Sequence, residues 1–199
     1  MGAQISLSQA TRFPRNCDIK HTRHAEARLL NVGDLGYNCD IPKRKAKMSI
    51  PTITIGEAIS LINNSILDFQ DGLSQDTIEK IVYAINNEIQ VRDYMLGIPE
   101  TYSLATAVEF VKYLVSSVDE EDIVALATIA SAYEYENENY LTSATLLNKV
   151  KQLNPTYFLA NLLDRVFEAN WPADSFAGMR KQLHPQVIAK LEEMKDQLI

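Results

Sequence analysis

Both cysteines of the chain and two of its three histidines fall in one short stretch, as Cys17, His21, His24 and Cys39. On a helix, His21 and His24 would share a face at i, i+3, one turn from Cys17. Two thiolates and two imidazoles are a donor set suited to tetrahedral zinc, and zinc would give such a segment folding free energy it otherwise lacks. The order Cys-x3-His-x2-His-x14-Cys is not a familiar finger spacing. The plain alternative is two solvated imidazoles and two free thiols, which are too few for a disulfide framework. Apart from this zinc candidate, no cofactor is expected.

Lys43, Arg44, Lys45 and Lys47 form a basic tetrad after Pro42. Such a cluster could contact phosphate groups of a nucleic acid or an acidic partner surface. Phe13 and Tyr37 are the only aromatic residues near it, so a stacking platform for single strands is not visible. A solvated linker is the competing reading.

Further along, Arg92-Asp93 could be a charged pair in a site, but a local ion pair or helix clamp accounts for it. Asp119 to Asp122 place four carboxylates where a helix N-terminus favours negative charge, which is preferred to a metal site. Tyr133, Tyr135 and Tyr140 alternate with Glu134, Glu136 and Glu138 and read as core and rim aromatics rather than a ligand cage. Trp171, Phe167 and Phe176 read as packing at a helix junction. His184, before Pro185, reads as the end of a helix. No P-loop, Gly-x-Gly-x-x-Gly, Gly-x-Ser-x-Gly or His-Glu-x-x-His is present. A non-enzymatic protein is therefore expected, with no catalytic residue to name.

The elements that must position these groups divide the chain in two. Residues 1–55 carry Pro14, Pro42, Pro51, Gly33 and Gly36 and show no sustained helical period, which predicts a basic arm of low intrinsic order. From Met1 to Lys47 nine Lys/Arg stand against four Asp/Glu, a net of +5, and the remainder carries ten against twenty-two, a net of −12. Like charge makes that remainder a poor nucleic-acid surface, so any phosphate contact falls to the arm. The shift at Met48 suggests that residues 1–47 are an addition to an original start. The first ten residues lack a basic start, and Arg12, Arg15 and Lys20 interrupt any apolar segment, so no secretory signal is expected. No run reaches the ~18 apolar residues of a membrane helix, and the cytoplasm is the expected compartment.

Residues 56–199 read as helix after helix. Thr54 and Glu57 make a capping box, and Ile59, Ile62 and Ile66 follow at helical spacing. Ser74 caps a stripe of Ile78, Ile81, Val82, Ile85 and Ile89 that is expected to run through Arg92 to a left-handed stop at Gly97. A helix follows over Leu104 to Val115, then one capped by Asp119 with Ile123, Leu126, Ala127, Ala130 and Tyr133 on its face. Another carries Tyr140, Ala144, Leu147 and Val150. Asn154-Pro155 is expected to open a helix with Leu159, Leu162, Leu163 and Val166. Two last helices are expected, separated at Pro185. Short connections imply antiparallel neighbours. The expectation is an all-α array of about seven to nine short helices, of orthogonal-bundle or tetratricopeptide-like form, with an irregular basic N-terminal arm.

Two resemblances bear on this. Tyr133, Tyr140, Ala144, Leu147 and Val150 followed by Pro155 resemble a single tetratricopeptide hairpin, although Glu138 stands at a usual glycine and no second copy appears. The segments Val91 to Leu96, Ala125 to Tyr133, Asn154 to Leu163 and Trp171-Pro172 resemble the C-terminal helical part of an uncharacterised actinobacterial family, also carried by phages of those bacteria. The start Met48-Ser-Ile-Pro-Thr-Ile-Thr-Ile-Gly is similar to the beginning of such proteins, whose longer α/β portion is reduced here to Gly56 to Gly72. What this implies is a helical interaction protein with a protein partner. The other reading is a nucleic-acid-associated factor working through the arm.

Overall fold

The computed structural model describes residues 53–196, which contain eight α-helices joined by short turns and no strand. The all-α array is what the sequence periodicity requires. Every other expectation about residues 1–52, the zinc donors and the basic tetrad included, lies outside the described residues.

Helix α1 (Ile55–Asp68) starts at the expected capping box. The Thr54 amide and hydroxyl both donate to Glu57, and the Glu57 amide donates back to Thr54 Oγ1. Those bonds hold the Glu57 carboxyl below the usual carboxylate range. Gly72, at φ +91°, reverses the chain where a side chain would be strained, and Ser74 caps α2 (Gln75–Asn87) by accepting from the Thr77 amide.

The expected long helix through Gly97 is instead two. Glu88 is extended at φ −112°, ψ 108°, and α3 (Ile89–Gly97) starts anew. The break takes Ile89 out of the α2 stripe and leaves it exposed, and α3 buries Val91, Tyr94 and Met95 instead. Gly97 is not a left-handed stop, since its φ is −90°. Its lack of a side chain serves packing, as described below.

Helix α4 (Leu104–Ser116) is capped by Ser103. The Asp119 side chain accepts no capping bond. The acidic run forms a short 3-10 turn, and α5 (Val124–Glu136) takes its cap from another helix. The Asn86 side chain on α2 donates to the Asp122 carbonyl at 2.8 Å and accepts from the Ala125 amide at 3.4 Å. Asp122 is held above the usual carboxylate range by burial and by Asp119 and Glu121.

Helix α5 is the centre of the array, with every residue from Ala125 to Tyr135 buried. Its small side chains admit α6 (Tyr140–Leu153) at close range. Ser131 Oγ bonds the Ser143 carbonyl at 2.9 Å and Ser143 Oγ bonds the Ser131 carbonyl at 2.8 Å, so two buried hydroxyls satisfy one another's backbones. The small residue facing α5 is thus Ser143, and Ala144 is exposed.

Asn154 closes a turn, accepting from the Thr156 amide and hydroxyl, and α7 (Phe158–Glu168) begins only after Tyr157. Proline there sits in the turn and not at the first helical position. Helix α8 (Ala173–Asp196) is continuous through Pro185, where two helices were expected. A proline removes one helical hydrogen bond and crowds the preceding turn. Burial of Phe176, His184 and Leu191 along one side outweighs that cost, and Pro185 itself is exposed.

Candidate interaction surface

Among the described residues, no group of three or more His, Cys, Asp or Glu side chains is placed to hold a metal ion. No described helix is long and apolar enough to cross a membrane. Cys17, His21, His24, Cys39, Lys43, Arg44, Lys45 and Lys47 fall outside the described residues.

Arg92 and Asp93 form the adjacent ion pair that the plain reading expected, with Nη2 to Oδ1 at 2.8 Å and Nε to Oδ1 at 3.1 Å. Burial works against the guanidinium charge, while Asp93 and the Tyr157 hydroxyl favour it and prevail. Arg92 thus lies on α3 close to Tyr157, the residue before α7.

The tyrosines divide by environment. Tyr133 is buried on α5, its hydroxyl donates to the Met95 carbonyl of α3, and burial pushes the phenol well above its ordinary range. Tyr135 stacks on Phe167 with ring centroids 4.0 Å apart and meets Tyr140 and Phe176 edge-on. Its hydroxyl donates to the Trp171 carbonyl, which joins the end of α5 to the α7–α8 connection. Phe167 and Phe176 of the expected junction therefore gather around Tyr135, whereas Trp171 contributes only its carbonyl and its side chain is exposed.

The glutamates follow suit. Glu134 is buried against the Lys112 ammonium of α4, a contact without the alignment of a hydrogen bond and best described as an ion pair. Its other oxygen accepts from Asn139 at 2.7 Å. Glu136 accepts from Arg180 Nε at 2.9 Å, and the same guanidinium reaches Glu100. Arg180 thus clamps α8 to α5 and to the turn after α3. Glu138 is exposed at φ +60° in the α5–α6 turn.

The sequence pattern gave no sign of His184 as a packed residue. It lies mid-helix on α8, only 8% exposed, with its ring 5.7 Å from that of Tyr94 and its Nδ1 without a hydrogen-bond partner. A Cβ added to Gly97 would lie 1.7 Å from His184 Nδ1 and 2.4 Å from its Cγ. Burial lowers the His184 pKa, with Glu100 acting to raise it and Arg180 to lower it.

Outward, α7 carries large apolar side chains in water as well as in the core. Leu159, Ala160 and Leu163 are buried, whereas Phe158 is 76% and Leu162 44% exposed. These two stand at i, i+4 and share one outer face. Leu153 at the end of α6 and Leu141 near its start are exposed as well.

Compared with known proteins, the chain matches no family model, no curated protein and no solved structure.

Proposed function

We propose that the helical body is a non-enzymatic protein-interaction module that receives its partner on the outer face of α7. The carrying observation is the pair Phe158 and Leu162, two large apolar side chains one turn apart, held in water by a helix whose other side is in the core. Burying them against a partner would contribute about 1.5–3 kcal/mol per side chain at full burial. Aromatic anchors of this kind tend to carry a disproportionate share of interface energy. The net charge of −12 over Met48 to Ile199 disfavours acidic partners and suits one whose docking face is neutral or basic. Kinship with the actinobacterial and phage family belongs to the same proposal. Its support is the order of the resembling segments, Val91 to Leu96, Ala125 to Tyr133, Asn154 to Leu163 and Trp171-Pro172, along the sequence.

The test is affinity capture from the native host with wild-type protein and the double variant Phe158→Asp/Leu162→Asp. Both positions are exposed, so the variant should keep the wild-type helical circular dichroism. A protein retained by wild type and lost from the variant is the expected outcome. Identical captures by the two would overturn the proposal.

A further inference from the structure

We propose that His184 is an acid-sensitive latch that holds α8 against α3 and α5 while neutral and releases it when protonated. The geometry carries this. The imidazole is buried, its Nδ1 has no partner, and the missing side chain of Gly97 leaves the space it occupies. A proton added at Nδ1 would have no acceptor to bond, and a buried charge without a partner is costly. From α3 the ring is faced by Tyr94, a phenol that stays neutral in this range, while on α5 Tyr133 and Glu136 act on Arg180. Glu100, in the turn after α3, would attract the imidazolium, but it already takes part in the Arg180 pair. Arg180, one turn earlier on α8, is committed to Glu136 and Glu100 and repels a second positive charge. The neutral ring is therefore the form that fits. Protonation sets His184 against Arg180 in the segment that keeps α8 docked, and release would uncover the apolar side of α3 bearing Tyr94 and Met95.

The test is hydrogen exchange of the full chain between pH 7.5 and pH 5, corrected for intrinsic exchange rates, alongside an NMR titration of the imidazoles. The latch predicts a loss of protection confined to α8 that follows the His184 titration, with α5 still protected. The chain has three histidines, so His21→Gln/His24→Gln should keep the response. His184→Gln, which cannot protonate, should abolish it. If that variant does not fold, the wild-type comparison decides alone. A His184 that titrates with α8 protection unchanged would overturn the latch, and so would an α8 response that persists in folded His184→Gln.

Discussion

Replacing Gly97 by alanine should change sign with the identity of residue 184. At φ −90° and ψ −7° the Gly97 backbone accommodates alanine without strain. Alone, a helical Gly→Ala exchange contributes about 1 kcal/mol of stability. The new methyl, however, would meet the His184 ring at 1.7–2.4 Å, far inside van der Waals contact. The ring is planar and His184 is buried, so relief requires that it leave its site or that α8 shift. Overpacking of this kind typically costs 1–3 kcal/mol, and the severity here points to about 3. The net for Gly97→Ala is then about 2 kcal/mol of destabilisation, or roughly 4–8 °C in Tm for a chain of this size. In a His184→Ala background the obstruction is gone, and the same exchange should raise Tm by roughly 2–4 °C. The coupling energy across the cycle is about 3 kcal/mol, well above what non-contacting sites show. Thermal and urea unfolding of the four proteins, followed by far-ultraviolet circular dichroism, measure it. A Gly97→Ala effect of the same sign and size in both backgrounds would refute the claim that this glycine exists to seat the imidazole.

Other consequences follow from the same contacts. Arg180→Ala leaves Glu136, 7% exposed, with its charge uncompensated and should cost about 3 kcal/mol, with Arg180→Lys recovering only part in urea unfolding. Ser103→Ala removes the acceptor of the Thr106 amide at 3.0 Å and should cost about 1 kcal/mol, while Ser103→Asp should retain most of the stability. Stability should also fall in weak acid. The folded pKa of His184 is lowered, so between it and the ordinary imidazole value the unfolded chain binds more protons. The histidine contribution is complete above the ordinary value, declines as pH drops through that range, and levels off below the folded pKa. Unfolding midpoints in His184→Gln should lack this slope between pH 7.5 and 5.

The array was legible in the sequence wherever apolar spacing and local capping agreed, as at Thr54 with Glu57 and at Ser74 with the stripe from Ile78 to Ile85. It was misread where a distant residue supplied what a local one seemed to offer. Asp119 looked like the cap of α5, but Asn86 makes the contact across from α2. Pro185 looked like a boundary, but tertiary packing of α8 on both sides carries the helix through. The break at Glu88 was hidden because α2 and α3 both keep helical spacing. For the surface, Leu162 and Leu163 are indistinguishable by type, and only the seating of α7 decides that one faces water. Residue chemistry likewise could not place His184, whose role depends on a glycine on another helix.

Photo-crosslinking tests the interaction reading most directly. A benzoylphenylalanine at position 158, on the outer face of α7, should yield a defined covalent adduct with one partner protein in the native host. The same probe at Glu109, exposed on α4, should not. Equal adduct patterns at the two positions, or none at 158, would contradict the assignment of the α7 face as the docking surface.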